Sequence, residues 1–519
     1  MDTKALRQKI LDLAIRGKLV SQDPNDEPAS VLLERIREEK QQMVKDGKLK
    51  PKDIKNDTVI FKGDDNLHYE KFSNGTVKCI EDEIPFDVPD NWEWVRIKTA
   101  CVINPRNSID DNTEVSFVPM ANIKGGYSNK FISDIRVWKK VKKGYTHFAD
   151  NDIGIAKITP CFENKKSVVF SGLINGYGAG TTELYIVRTI PSLVIPEYLL
   201  NFVKRNDFIA GGVLTFSGDV GQQRVTKDYV ANYLFTLPPI NEQQRILNAV
   251  HNANSLIESI EKSKDNLIRD IDKTKSKILD LAIRGKLVAQ DPNDEPASVL
   301  LERIRTEKEE RIKQGKIKSA KKESVIFKGS DNSYYEKIGN DVTCIDDEIL
   351  FDIPDTWSWT RISTIADVTM GSSPKSQDIC NDKQYIEFHQ GKIYFSKKII
   401  MKSNQYTRKT TKLAPKQSVL LCVRAPVGEL NITDRDICIG RGLASIKSLG
   451  NINEDFIFYW LHPYKTYLVN KSTGSTFSAI TSDTVRNILI PLPPLMEQKE
   501  ILNKIQKVFT LLENLETVN

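Results

Sequence analysis

No run of apolar residues in this 519-residue chain approaches the ~20 that a membrane helix needs. The opening MDTKALRQKIL also lacks the basic stretch, apolar core and small-residue cleavage site of a secretory signal, so a cytoplasmic location with no membrane contact is expected. Cysteine is sparse and dispersed. The seven, at 79, 101, 161, 344, 380, 422 and 438, form no CxxC pair, which excludes the usual zinc spacings and argues against a disulfide framework. Reduced, mostly buried thiols are the expectation. The five histidines are equally scattered. Also missing are a Walker A loop, an HExxH pair, a compact carboxylate and lysine nuclease cluster, and the Asn/Asp-Pro-Pro-aromatic tetrapeptide of adenine methyltransferases; LPPI and LPPL lack the polar first residue that would bind a target amine. Chemistry is therefore expected in partner proteins, with no catalytic residue, metal or cofactor in this chain.

What is present is a soluble composition, 39% apolar and 28% charged, on a chain long enough for several compact units. The net charge of +6 is modest, but its distribution is uneven. Residues 92–240 hold 18 Lys+Arg against 13 Asp+Glu, and residues 357–495 hold 18 against 10, so the remainder of the chain is net acidic. Two separate basic segments suggest two footprints on a polyanion, because clustered cations gain affinity by releasing counterions from phosphates.

The chain is one unit written twice. KILDLAIRGKLVSQDPNDEPASVLLERIR at residues 9–37 returns at 277–305 with a single change, Ser21 to Ala289. VIFKG at 59 returns at 325, PDNWEWVRI at 89 returns as PDTWSWTRI at 354, and LPPINEQQRIL at 237 returns as LPPLMEQKEIL at 492. From Glu242 to Leu281 a heptad-like stripe predicts one helix of about 60 Å. Ile246, Val250, Ile257, Ile260, Ile271 and Ile278 lie on that stripe, and Ile501, Ile505, Val508, Leu512 and Leu515 repeat it near the C-terminus. Joining the C-terminus to the N-terminus rebuilds the central helix apart from about five residues near Asp265 to Arg269. The repeat is thus circular, and its like stripes are expected to bury each other antiparallel. After each helix, Pro28 and Pro296 open a second helix whose Ala29, Leu32, Leu33 and Ile36, or Ala297, Leu300, Leu301 and Ile304, share a face.

These segments, together with IPFDVPDNWEWVRI, AKITPCFEN, LLCVRAPVGELNITDRDICIGRGLASI and a closing LPPxxEQ in each half, resemble the specificity subunit of type I restriction-modification systems over the whole chain. The resemblance implies an α+β protein in which two globular target-recognition domains are separated by a pair of long antiparallel, coiled-coil-like helices in a circular pseudo-twofold repeat. It divides the chain into a conserved N-terminal repeat (1–84, completing the C-terminal helix region), a first recognition domain (85–240), a central conserved region with the long helix (241–350), a second recognition domain (351–495) and a C-terminal conserved helix (496–519). It implies a non-catalytic reader of a bipartite site in double-stranded DNA that docks two modification subunits and, through them, restriction subunits. S-adenosylmethionine, ATP and Mg2+ would be used by those partners. The competing expectations are a stand-alone methyltransferase or nuclease with diverged motifs, and a helical docking scaffold that touches no nucleic acid.

The candidate DNA contacts follow from residue chemistry. In the first block, WKKVKKGY sets Lys139, Lys140, Lys142 and Lys143 between Trp138 and Tyr145, suited to phosphates, which position a protein without reading sequence. Asn122 and Lys124 in MANIKGGY and Lys157 in AKITP join them. In the second block, His389, Gln390, Lys392, Lys397, Lys398, Arg408 and Lys409 mix amides and cations able to bond base edges, and Arg424 and Arg441 lie in the family-like segments. A solvated edge or a buried bracing role is the ordinary alternative for each. GLINGYGAGTTE does not open a helix after a strand, so dinucleotide binding is not expected. SGDVGQQRVT and TGSTFSAIT are expected to be matching loops that turn or contact phosphate.

Overall fold

The structure, a computed structural model, describes residues 2–219, 221–315, 323–472 and 479–518. The loop TGSTFSAIT lies mostly outside the described residues. The chain divides into two compact units, Met1–Ser263 and Lys264–Asn519. Among the described residues no helix is long and apolar enough to cross a membrane.

In the first unit the N-terminal helix Thr3–Ile15 starts where the Asp2 carboxylate accepts the free N–H groups of Lys4 and Ala5, both at 3.0 Å. Leu11, Ala14 and Ile15 are buried in one core with Ile246 and Val250 of the long helix Ile240–Ile283. The order of polar contacts makes this pair antiparallel: Arg7 donates to Asn254 (2.8 Å) and reaches Glu261 (3.2 Å), while Gln22 donates to Glu242 (2.6 Å). The second unit repeats the arrangement between the far end of the long helix and the C-terminal helix Leu495–Val518. There Lys275 donates to Glu516 at 3.3 Å, Gln290 to Glu497 at 2.6 Å, and Leu279, Ala282 and Ile283 share a core with Ile501 and Ile505.

The expected stripe therefore packs, with two corrections. Ile246, Val250, Ile257, Ile271, Ile501 and Ile505 are buried, and Ile278, Val508 and Leu512 are half-buried. Ile260 and Leu515, which occupy matching places, are 45% and 51% exposed. A straight helix of 3.6 residues per turn drifts about 20° per heptad against a strict repeat, so the sequence register leaves the contact line. The thiols also differ from expectation: among the seven free cysteines Cys101, Cys422 and Cys438 are buried, whereas Cys79 and Cys344 are exposed.

Each helix pair is tied to the adjoining sheets by the same buried contacts. Trp92 donates its indole N–H to Glu242 at 2.9 Å, and Trp357 to Glu497 at 2.8 Å. Arg96 forks onto Glu70 (3.1 and 2.7 Å), meets Glu83 (2.8 Å) and donates to the carbonyl of Asn232 (2.7 Å). Arg361 does the same with Glu336 (3.1 and 2.7 Å), Glu348 (2.6 and 3.1 Å) and the carbonyl of Asn487 (2.9 Å). Bidentate guanidinium pairs of this kind fix orientation as well as charge.

The variable blocks are mixed α and β. The first holds two four-stranded sheets, ordered 167–169, 152–156, 184–189, 101–103 and 134–137, 114–118, 177–180, 146–149. The second holds a four-stranded sheet (366–370, 443–448, 418–422, 430–433) and a five-stranded one (379–380, 406–407, 386–389, 437–439, 413–414). Among the described residues each block contains one parallel pairing between strands, Gly178 with Ser116 in the first and Phe388 with Cys438 in the second, and the second block adds a lone parallel bridge between Ile399 and Ile432. The strands ending at Val118 and His389 thus hold corresponding places.

Candidate nucleic-acid interface

In the second unit the strands Ser418–Cys422 and Leu443–Ser448 pair antiparallel with Cys422 opposite Leu443. Arg424 and Arg441 therefore leave neighbouring strand ends, and both are exposed. Main-chain bonds lock three loops around them: Val423 N–H donates to the Gly442 carbonyl (2.9 Å), Gly440 N–H to that of His389 (2.8 Å), and Ser372 N–H to that of Ile439 (3.0 Å). Arg441 N–H donates to Ser373 Oγ at 3.3 Å. Glycine is needed here, since a Cβ on Gly442 would stand 2.2 Å from the Gln390 carbonyl oxygen. Gln390, Arg424 and Arg441 are thus presented together on a rigid rim. The strap carrying Arg408 and Lys409, both exposed, joins the same rim where Thr411 donates to the Ser372 carbonyl.

Other sequence candidates stand elsewhere. Lys398 is paired with Asp455 (2.8 Å), Lys397 with Glu516 (3.4 Å) and Lys392 with Glu429 (3.7 Å), which places them along the helical side of the block. His389 is a correction: it is fully buried, its Nε2 lies 3.1 Å from Glu387, and burial pushes its pKa below the usual imidazole value. A ring held inside a strand core cannot touch a base edge; its side chain faces inward while Gln390, next along the chain, faces out.

The first unit presents its candidates at two ends of one strand. Asn122 and Lys124 follow the end of Glu114–Val118, in a loop pinned to 164–166 by Gly126 N–H donating to the Asn164 carbonyl (2.8 Å) and Lys166 Nζ donating to that of Met120 (3.1 Å). Lys157 lies near this end, its ammonium 5.3 Å from the centre of the Tyr185 ring, with Arg224 and Glu183 paired beside it at 2.9 Å. By contrast Lys139, Lys140, Lys142 and Lys143 sit at the opposite end, because Val137 pairs with Glu114. Trp138 and Val141 bury one side of that short helix, Lys142 is held by Asp111 at 2.7 Å, and Lys139, Lys140 and Lys143 stay exposed.

One residue outside the sequence candidates organises this end. Lys204, 3% exposed, donates to the carbonyls of Gly126 (2.8 Å), Ser128 (2.9 Å) and Lys165 (3.3 Å), clamping the loop that carries Lys124. The sequence offered no signal for it beyond a lysine following the apolar run EYLLNFV. Burial pulls its pKa down from 10.5 to about 7. Between those values the unfolded chain binds a proton that the folded chain has released, so stability rises with pH across that window and is lost as pH falls to about 7. Urea melts at pH 7 to 9 are expected to show this rise in the wild type and to lack it in Lys204→Met. Parallel pH slopes in the two proteins would mean that Lys204 keeps its proton in the folded chain.

Residues 354–519 match the family described as the type I restriction modification DNA specificity domain. The specificity subunit of the type I restriction enzyme EcoAI from Escherichia coli is 31% identical over 568 positions, spanning 97% of this chain and 88% of its own. That of EcoEI, also from Escherichia coli, is 38% identical over 414 positions, 72% of this chain and 63% of its own. A solved chain from work on complex assembly and conformational transition of the type I R-M system shares the fold at 22% identity with a TM-score of 0.58, over 84% of this chain and 94% of its own. The chain belongs to the specificity subunits of type I restriction enzymes.

Proposed function

We propose that this chain is the non-catalytic subunit that reads a bipartite sequence in double-stranded DNA for a cytoplasmic type I restriction-modification complex. Residues 85–240 and 351–495 act as two target-recognition domains, one per half-site. Segments 1–84, 241–350 and 496–519 form the conserved frame, a circular pseudo-twofold repeat whose antiparallel helices set the distance between half-sites. That frame docks two modification subunits and, through them, restriction subunits, which use S-adenosylmethionine, ATP and Mg2+. The observation that carries the reading is the rim formed by Gln390, Arg424 and Arg441, outward-facing groups able to bond base edges at the end of one parallel strand pair. Asn122 and Lys124 follow the matching strand of the first unit, and Lys157 lies near them. Two readers of like construction but unlike surface residues suit two unlike half-sites.

Selection from random duplex DNA by the full chain with its modification subunit tests this. A split motif of two short defined halves with a fixed undefined gap is expected. Enrichment of one continuous motif, or of none, would contradict it, and methylation by the purified chain alone would instead favour a stand-alone enzyme.

A further inference from the structure

Each unit carries a small three-stranded meander outside its variable block. In the first, Val59 pairs with Lys71, Phe61 with Tyr69, Lys71 with Val77, and Tyr69 with Cys79. Directly opposed residues of an antiparallel sheet share a face, so these six form one side of the meander. In the second, Val325 pairs with Lys337, Phe327 with Tyr335, Lys337 with Val342, and Tyr335 with Cys344. All six residue types are the same in the two copies.

This is the side turned to solvent. Phe61, Val77, Phe327 and Val342 are 39%, 48%, 42% and 53% exposed, while Glu70 and Glu336 on the other side are buried against Arg96 and Arg361. Differences between the copies fall in the turns, as Asp64 to Ser330 and Leu67 to Ser333, on the inner register, as His68 to Tyr334, or at an exposed place on the third strand, as Lys78 to Thr343. Packing alone gives the reverse, an inner side held fixed and an outer side free to drift. Recent duplication would scatter changes without regard to side. The local geometry is also reproduced: both aromatic pairs stack at 5.9 Å and 25°, and Tyr69 and Tyr335 donate to Asp65 and Asp331 at 2.7 Å. Among the described residues neither Lys71 nor Lys337 has an ion-pair partner, which leaves a cation in the middle of an apolar surface.

We propose that this twice-built face is a docking surface for one folded protein that binds in two copies, laying an apolar patch with a carboxylate against Phe61, Val77 and Lys71 and again against Phe327, Val342 and Lys337. The occupant is the modification subunit, an assignment that rests on the function proposed above. A duplex is a poor occupant, since a nucleic-acid footprint is dense in cations and this face has one lysine per copy. Apolar exposure repeated at two like sites instead marks a protein contact.

The exposed thiols of Cys79 and Cys344 report on the face directly. Maleimide labelling of the full chain, resolved by peptide mass, is expected to slow at least tenfold at both cysteines when two modification subunits are bound, with the 2:1 mass seen in native mass spectrometry. Phe61→Ser and Phe327→Ser are each expected to reduce binding to one subunit without changing the melting temperature, and together to weaken binding at least tenfold at both sites. If two subunits bind while both thiols keep their free rates, the face is not the interface although docking stands. If the wild-type chain binds no modification subunit, the function proposed above fails and this assignment with it. Slowing of both thiols in the chain alone as its concentration rises would mean a second copy occupies the face, and would overturn the proposal.

Discussion

Replacing Arg361 by methionine is expected to destabilise the second unit by about 3–5 kcal/mol, the usual loss when one member of a buried ion-pair network is removed. Arg361 is 5% exposed and answers two carboxylates and a main-chain carbonyl at once. Burial alone would raise the pKa of Glu336, yet the bonds from Arg361 outweigh it and hold the carboxyl below its ordinary value. Without the guanidinium, Glu336 keeps the desolvation and loses the compensation. Its folded pKa then rises above the unfolded one, so the penalty is largest at neutral pH and shrinks in acid as the carboxyl protonates. Urea unfolding at pH 7 and pH 4.5 measures both effects, and Arg96→Met should reproduce them in the first unit. Replacing Glu336 by leucine in the Arg361→Met background should recover part of the loss, since an apolar group needs no partner. A loss below about 1 kcal/mol at pH 7 would show that this network is not the tie between meander and sheet.

Substituting Arg441 or Arg424 by alanine is expected to relax recognition at one half-site only. A bidentate arginine contact to guanine contributes about 1–3 kcal/mol of discrimination, or roughly 5- to 150-fold between right and wrong base. Both side chains leave strand ends whose main chains bond to one another, which fixes where each one starts. Neutralising Lys139, Lys140 and Lys143 should instead weaken every sequence alike, if it acts at all, because phosphate contacts carry no sequence information. Competition binding with single-base variants of the selected site separates these outcomes. Equal loss on all variants after Arg441→Ala would remove that residue from base reading.

The frame was legible in the sequence because helices announce themselves by period. Ala29, Leu32, Leu33 and Ile36 fall on one face by spacing alone, and each is buried. The antiparallel pairing followed from the like stripes of the two halves, but their exact line of contact did not, as Ile260 and Leu515 show. The network of Arg96 with Glu70 and Glu83 was invisible, since three charges 13 to 26 positions apart read as solvated surface until a sheet brings them together. In the variable blocks, polarity misled for His389, because residue type does not reveal on which side of a strand a ring falls. Lysine clustering misled in another way: Lys139 and Lys124 are close in sequence, yet the strand 114–118 separates their ends of the block. Strand order, with its mix of parallel and antiparallel pairings, has no local sequence signal.

The most direct test is to exchange residues 92–240 for the corresponding block of another specificity subunit and sequence the methylated sites made with the same modification subunit. One half of the motif should change to that of the donor, while the other half and the gap stay as they were. A motif that changes in both halves, or in neither, would mean that the two blocks do not read DNA separately.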